Sequence, residues 1–306
     1  MSRRTPAPAA ARVSASWSGA SRRPCSLLRK STMSDVAAPK LVRAPALRRA
    51  LEGTPWRRFV ILGGFALAWE LYARWLDNAL LLPTLGATLS ALWSAVLSGE
   101  LPNRALTSLR VLITGYALGV AVAAVLTTLA ALSRWGNEAL GLLTSMFNPL
   151  PAIALLPIAL LWFGVGTPSL IFVIVHSVLW PVALACYGGF LAVPPTLRMA
   201  GRNLGLSGGR FVAEILVPAA FPQILSGLRI GWAFAWRTLI AAELVFGVSA
   251  RSGGIGWFIY TSRAQLETAS VFAGLLTVIL IGLLVEGVIF RSLTRITVQR
   301  WGQVQT

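Results

Sequence analysis

Long apolar stretches alternate with short polar connections along most of this chain. Six of these stretches approach or exceed the length that a helix needs to cross about 30 Å of hydrocarbon. They cover residues 59–76, 109–132, 139–163, 169–191, 226–246 and 270–290. The pattern predicts an all-α, polytopic membrane protein with six transmembrane helices.

One apolar segment, residues 84–97, is too short to span a bilayer. Its large apolar residues recur at helical spacing and would share one face of a helix: Leu85, Leu89, Leu92, Trp93 and Val96. We expect an amphipathic helix on the outer membrane surface, ended by Ser98-Gly99.

The connection between the fourth and fifth predicted spans, residues 192–225, is polar, cationic and rich in proline and glycine. Pro194-Pro195 suits the first turn of a helix, and Gly205 followed by Gly208-Gly209 suits a sharp stop and a turn. We predict a short helix here that lies parallel to the membrane. An element held between two spans in this way can receive force from another protein.

Prolines interrupt the third predicted span at Pro149, Pro151 and Pro157. Inside a bilayer, neighbouring groups can re-satisfy the carbonyls that proline frees, so a kinked helix can persist. Two interpretations stay open at this point. The kinked helix lines a transport pathway, or it is a bent helix that only packs.

Small and polar residues inside the spans have packing interpretations. Gly115 and Gly119 lie four residues apart in the second span, a spacing that permits close helix approach. His176 in the fourth span is expected to pack or to form a hydrogen bond rather than to bind a ligand.

The composition favours a membrane protein over a nucleic-acid-binding one. Apolar residues make up 56% of the chain and charged residues 12%, while the formal net charge is +17. With both termini inside, the basic N-terminal region, the 134–138 turn, the 192–225 loop and the C-terminal tail are cytoplasmic. Basic residues in these parts outnumber those on the outer side, as the positive-inside rule requires. We therefore expect no nucleic-acid partner.

The predicted organisation has three parts. Residues 1–58 form a basic cytoplasmic tail, residues 59–290 a transmembrane domain, and residues 291–306 a cytoplasmic C-terminal tail. Residues 1–32 are rich in Arg, Ser, Ala and Pro and contain no acidic residue. This composition predicts either disorder or a start assigned too early, with Met33 as the natural first residue.

The chain offers little chemistry of its own. A single histidine and two cysteines, Cys25 and Cys186, exclude a multi-histidine metal site and a disulfide framework. Lys30 and Lys40 are the only lysines, and no glycine-rich phosphate-binding loop contains either. We expect no catalytic residue, metal or cofactor on this chain, so any ATP and Mg²⁺ would be bound by another subunit.

The 192–225 loop and its surroundings resemble a known family. Gly205, Ile215 and Pro218 have the spacing of the EAA loop in permease subunits of ATP-binding-cassette importers. Residues 217–230 are similar to the Leu-Pro-Ala-Ala-x-Pro-x-Ile-Leu-x-Gly-Leu-Arg-Ile pattern of the nitrate, sulfonate and taurine branch. Further segments typical of that branch are Leu82-Pro83, Ser108-Leu109-Arg110-Val111, Leu161-Trp162-Phe163-Gly164-Val165-Gly166 and Ala241-Ala242-Glu243.

The resemblance implies that a helix at 195–210 docks on a cytoplasmic ATPase. The residues that it assigns to this coupling are Arg198, Met199, Ala200, Gly201, Arg202, Leu204, Gly205, Ile215 and Pro218. Met199-Ala200-Gly201 stands where the family has Glu-Ala-Ala, so the acidic residue is absent. Docking would then rest on shape, apolar contact and two arginines.

The same resemblance implies a type I importer permease fold in the bacterial inner membrane, working as a homodimer. The implied partners are an ATPase, a periplasmic solute-binding protein, a second copy of the chain and membrane lipid. The implied solute is a small anion of the sulfonate, taurine or nitrate class. A pyrimidine precursor or an aromatic acid is the alternative solute.

Two other classes of membrane protein are the rivals. A polytopic membrane enzyme would need converging acids, bases or metal ligands, and an ion-driven transporter often shows inverted repeats.

The fifth span carries charges at depths where charges are costly. Trp236, Arg237 and Glu243, together with Pro151 of the third span, are predicted to line the translocation path. Arg237 lies near mid-span and is badly placed to pair with Glu243 on the same helix. Its partner should be Glu70, Glu286, a backbone carbonyl or an anionic solute. Both a solute contact and a tie to another span stay open.

Overall fold

The computed structural model describes residues 54–246 and 253–299, and every regular element in those residues is helical. The helices are α1 (Thr54–Leu76), α2 (Leu85–Leu97), α3 (Glu100–Leu132), α4 (Arg134–Phe147), α5 (Leu156–Phe163), α6 (Thr167–Leu191), α7 (Pro195–Asn203), α8 (Gly208–Ala219), α9 (Phe221–Phe246), α10 (Ile255–Ala264) and α11 (Thr268–Leu284). A 3₁₀ turn (Ala152–Leu155) precedes α5. Helix α8 contains a π-helical turn (Val212–Leu216), and helical turns continue α11 as far as Gln299.

Four helical segments are long and apolar enough to cross a bilayer: Phe59–Leu76, Glu100–Leu132, Thr167–Leu191 and Thr268–Thr297. Two bent pairs, α4 with α5 and α8 with α9, bring the number to six if each pair counts as one span. Large apolar side chains cover the outside of α1, where Phe59, Phe65 and Trp75 are 71%, 72% and 77% exposed. This surface is suited to lipid, and the described chain is a multi-pass, all-α membrane protein.

The core forms where α6 lies between α3 and α9. A Cβ atom at Gly115 or Gly119 of α3 would lie 2.7–2.9 Å from side-chain atoms of Ile174 or Val178. Distances this short show that the two helix backbones approach as closely as glycine allows. The close approach predicted for this glycine pair is confirmed.

A second glycine pair, which the sequence analysis did not single out, contacts the same face of α6 further along the helix. A Cβ atom at Gly227 of α9 would lie 2.5 Å from Cβ of Ala185, and one at Gly231 would lie 2.7 Å from Cγ2 of Val182. The two glycines are also four residues apart, so the same spacing rule would have found them. One face of α6 therefore meets glycines of both α3 and α9, and Val178 lies near a glycine of each pair.

The third predicted span is broken rather than kinked. Helix α4 ends at Phe147, a 3₁₀ turn follows Pro151, and α5 then runs off at 88° to α4. Pro149 and Pro151 cannot donate backbone hydrogen bonds, and each disfavours helical geometry in the residue before it. Pro157 causes no break, because it occupies the first turn of α5, where proline is tolerated.

Two connections are shorter than predicted. The second span begins at Glu100, well before the predicted residue 109, because Leu101 to Ser108 continue the helical pattern of buried positions. Residues 134–138 are helical rather than a turn, since the Ser133 Oγ accepts a hydrogen bond of 2.8 Å from the Gly136 amide and caps α4. The short helix predicted over 84–97 is confirmed as α2, with Thr84 as its N-cap.

Several sequence predictions lie outside the described residues. They include the disorder or early start of residues 1–32, the basic segment up to residue 53 and the last residues of the C-terminal tail. The three-part division of the chain stays a prediction. Residues 291–299, assigned to that tail, continue the helical path of α11.

Candidate functional site

The connector, residues 192–220, joins α6 to α9 and contains α7 and α8. Pro194 precedes α7 and Pro195 is its first residue, as predicted for a proline-led helix start. The helix ends before Gly205 and Gly208, whose φ angles of +76° and +56° lie in the left-handed region that favours glycine. The glycines therefore produce the predicted stop and turn.

Helix α7 packs against α8 through a glycine. A Cβ atom at Gly201 would lie 2.8 Å from Cγ1 of Ile215 and 3.1 Å from Cε2 of Phe211. Gly201 and Ile215, which the resemblance assigned to coupling, therefore meet directly. The two short helices of the connector are therefore in close contact at this glycine. Pro218 is exposed in the last turn of α8, beside the 81° bend into α9.

The two arginines of α7 have different surroundings. Arg198 is half-buried, and its Nε donates a hydrogen bond of 3.2 Å to the Val193 carbonyl. Its Nη2 also donates to the Phe190 carbonyl, near the end of α6. Arg198 thus satisfies carbonyls that the helix end leaves free, whereas Arg202 is exposed.

Large apolar side chains make up much of the exposed surface of α7 and its C-cap. Leu197, Met199 and Leu204 are 44%, 56% and 77% exposed, and Ala200 and Arg202 are exposed beside them. Met199, at the position of the family's acidic residue, adds apolar area rather than charge. On the inner side, a cavity of about 680 Å³ is lined by Arg134, Arg198 and Arg202. The connector therefore carries arginines around α7 and exposes large apolar side chains of this helix and its C-cap.

A second region lies within the spans. The proline cavity, of about 350 Å³, is bounded by α6, α9 and the break between α4 and α5. Pro149, Pro151 and Pro181 supply much of its wall, and Arg237 of α9 lies on it. The structure therefore brings together Pro151 and Arg237, two of the residues predicted to line the path.

Arg237 has no ion-pair partner among residues 54–246 and 253–299. Its Nε donates a 3.0 Å hydrogen bond to the Ala233 carbonyl, one turn earlier, and its Cζ lies 4.8 Å from the centroid of the Phe234 ring. Glu70 pairs with Arg74, and Glu286 pairs with Arg229. Of the partners considered from the sequence, the two carboxylates are wrong and the backbone carbonyl is confirmed.

An aromatic cluster shares this cavity. Phe147 stacks on Trp180 with ring centroids 5.4 Å apart, and His176 meets both rings edge-on at 6.3 and 6.1 Å. Neither ring nitrogen of His176 nor the indole N–H of Trp180 has a hydrogen-bond partner in the described part of the chain. His176 packs against both rings, and it forms no hydrogen bond with any described residue. Trp180 was missed, although its spacing of four from His176 places both on one helix face.

Trp236 and Glu243, the other predicted path residues, lie away from the proline cavity. Trp236 is 7% exposed, and it borders a separate groove between α9 and α11. Glu243 is buried in a junction of three helices. It accepts hydrogen bonds from Ser108 Oγ at 2.9 and 3.0 Å and from the Gly256 amide at 2.8 Å. The path role of all four residues stays a prediction.

The architecture defines a class: a multi-pass helical membrane protein with a short amphipathic helix held between two spans. The family model for the inner membrane component of binding-protein-dependent transport systems matches residues 115–298. That match includes the connector and both glycine pairs. The chain belongs to this family, whose members are transport permeases rather than enzymes.

Curated relatives agree with this membership. A putative ABC transporter permease protein of Methanocaldococcus jannaschii is 31% identical over 71% of this chain and 82% of its own length. The putative aliphatic sulfonates transport permease protein SsuC of Escherichia coli (strain K12) is 32% identical over 79% of this chain and 90% of its own. The nitrate import permease protein NrtB of Synechocystis is 33% identical over 57% of this chain and 59% of its own.

Proposed function

We propose that this chain is the membrane-embedded subunit of an importer that moves a small anion into the cytoplasm, driven by ATP hydrolysis on a separate subunit. The observation that carries the proposal is α7. It is a nine-residue helix between two spans whose outer apolar side chains lie exposed. Apolar area left exposed by a helix of this kind is suited to a protein partner.

The contact between Gly201 and Ile215 supports a mechanical role for α7. Closure of the ATPases would push on α7, and the displacement would pass through Ile215 into α8 and across the 81° bend into α9. Because α9 packs on α6 through Gly227 and Gly231, the two spans would move together. This route links the cytoplasmic connector to the residues around the proline cavity.

The remaining parts of the assembly follow from the family. A homodimer would enclose a central path, two ATPases would dock on the paired α7 helices, and a periplasmic binding protein would deliver the solute. The connector and both termini would lie on the cytoplasmic side, because that orientation places the larger share of basic residues inside. ATP and Mg²⁺ would be bound by the ATPase. Sulfonate, taurine and nitrate are the proposed solutes, since close relatives bear the names of two of these classes.

The test is reconstitution of the chain with an ATPase and a binding protein in liposomes. ATP on the side of the ATPase should drive accumulation of labelled ethanesulfonate, taurine or nitrate. Accumulation without any ATPase, or labelling that places Arg202 on the periplasmic face, would contradict the proposal.

Gly205 offers a direct test of coupling. Gly205→Pro forces φ to about −65° where the turn needs a positive angle, so α7 should lose its stop and its position. We expect ATP hydrolysis to continue in the complex while transport falls at least about tenfold. Gly209→Pro is the matched control, because residue 209 lies in the first turn of α8, where proline is tolerated. Normal coupling in Gly205→Pro would argue against a docking role for α7.

A further inference from the structure

The proline cavity combines features that a packing defect would not have. Its volume of about 350 Å³ falls in the range of small-molecule sites. The break between α4 and α5 forms one of its walls, so no continuous helix lies on that side. Its walls come from three parts of the chain, namely α6, α9 and the break between α4 and α5.

Some polar groups of the cavity lack a hydrogen-bond acceptor or a counterion in the described part of the chain. Arg237 brings a guanidinium whose only described polar partner is one carbonyl, Ala233 O. The indole N–H of Trp180 and the ring nitrogens of His176 are buried and unpartnered among the described residues, and Trp180 itself is 7% exposed. Buried polar atoms are nearly always hydrogen-bonded in folded proteins. Arg237 thus brings a positive charge to the cavity, and two further residues of its wall, Trp180 and His176, have buried nitrogens without a described partner.

The acceptor that fits these donors is an anion. None of the described residues that line the cavity is acidic, so nothing there would attract a cation. A guanidinium binds planar or tetrahedral oxyanions through paired hydrogen bonds, and an indole N–H can only donate.

Most of the remaining wall is apolar, although Asn148, Ser177 and Thr238 also line it. Pro149, Leu150, Pro151, Ile153 and Phe234 surround the polar corner. A hydrophobic wall of this kind contacts carbon atoms favourably and offers nothing to a bare inorganic ion. The cavity therefore suits a ligand with one charged end and one apolar end.

We propose that the proline cavity binds an organic anion, with its sulfonate or carboxylate group on Arg237, Trp180 and His176 and its carbon chain against the prolines. This inference rests on the proposed function, and it names the solute class within it. Organic anions are favoured over nitrate, which has no apolar part to occupy the wall.

The test is equilibrium binding to the permease–ATPase complex in lipid nanodiscs, with no binding protein present. The probes are radiolabelled 1-butanesulfonate and nitrate. The wild-type complex should bind butanesulfonate saturably and at least about tenfold more tightly than nitrate. Absence of saturable butanesulfonate binding, or equal binding of nitrate, would overturn the inference.

Variants locate the site. Arg237→Gln and Trp180→Phe should each weaken butanesulfonate binding by about ten- to a hundredfold, the usual effect of losing one hydrogen bond to a charged group. Trp180→Phe keeps an aromatic ring against Phe147, so it tests the site even if Arg237→Gln fails to assemble. Arg263→Gln and Trp93→Phe are the matched controls, because both side chains are exposed and lie outside the cavity.

The two proposals fail differently. Unchanged binding in Arg237→Gln and Trp180→Phe would remove the site while ATP-driven uptake by the wild type stood. Loss of uptake in every liposome experiment, with butanesulfonate still bound in the cavity, would remove the transport function and leave the site.

Discussion

Two charged residues of α9, Arg237 and Glu243, lie less than two turns apart and have opposite surroundings. Glu243 is 6% exposed, and its carboxylate accepts hydrogen bonds from the Ser108 hydroxyl and the Gly256 amide. Arg237 is exposed to a cavity and has one backbone carbonyl as its described polar partner. A charge satisfied by its own chain stabilises the fold. Arg237, which has no counterion among the described residues, keeps donors available for a further polar group.

The Glu243 junction also fixes the chain beyond α9. Ser108 Oγ accepts a 2.9 Å hydrogen bond from the Ile255 amide while it donates to Glu243. A Cβ atom at Gly254 would lie 2.0 Å from Ser108 Oγ, so only glycine fits there. The junction therefore joins α3, α9 and the start of α10 through one carboxylate.

The largest expected effect comes from removing this carboxylate. Glu243→Leu leaves Ser108 and the Gly256 amide buried without their acceptor, and we expect a loss of about 3–5 kcal/mol in stability. Thermal unfolding of the detergent-purified protein would measure it. Glu243→Gln, which keeps the size and one acceptor oxygen, should lose less. Equal stability of Glu243→Leu and wild type would show that the junction is not structural.

The glycine crossings that support α9 give the next effect. Gly231→Val places a side chain where Cγ2 of Val182 is already 2.7 Å from an ideal Cβ, so α6 and α9 must separate. We expect a loss of about 1–3 kcal/mol. The matched control is Gly141→Val, because no atom lies within 4 Å of an added Cβ at Gly141. The same melting measurement compares the two, and equal melting temperatures would contradict the tight crossing.

Removal of the Arg237 charge should barely affect the fold. Arg237→Met keeps much of the side-chain volume and removes a charge that is costly within a span, so we expect a change below about 1 kcal/mol, in the stabilising direction. This is the reverse of the Glu243 result and sharpens the contrast between the two residues. A strongly destabilised Arg237→Met would indicate that the arginine ties helices together instead.

The smallest effect is expected at the ion pair between Arg229 and Glu286, which joins α9 to α11. Both side chains are substantially exposed, at 59% and 38%. Exposed pairs contribute between zero and about 1 kcal/mol. The stability of Arg229→Gln should therefore lie within about 0.5 kcal/mol of that of the wild type. The double variant with Glu286→Gln would measure the coupling energy between the two residues. A larger coupling energy between Arg229 and Glu286 would show that this ion pair, like the Glu243 junction, stabilises the fold.

Local patterns in the sequence determined much of this protein. Hydropathy located the spans, because burial in lipid constrains every residue of a spanning helix. Proline and glycine chemistry placed α7 between Pro194 and Gly205, and the motif from Gly205 to Ile230 identified the family. Glycine spacing revealed the crossing at Gly115 and Gly119, and the same rule would have revealed Gly227 and Gly231.

The tertiary structure decided the partners of the charged and polar groups. Ser108 and Glu243 are 135 residues apart along the chain, and nothing near either residue in the sequence indicates that they meet. The 88° break after Phe147 replaced the expected kink and forms one wall of the proline cavity. It also brought the region around Pro151 up to His176, Trp180 and Arg237. Periodicity and propensity act over a few residues, whereas these contacts depend on how whole helices cross.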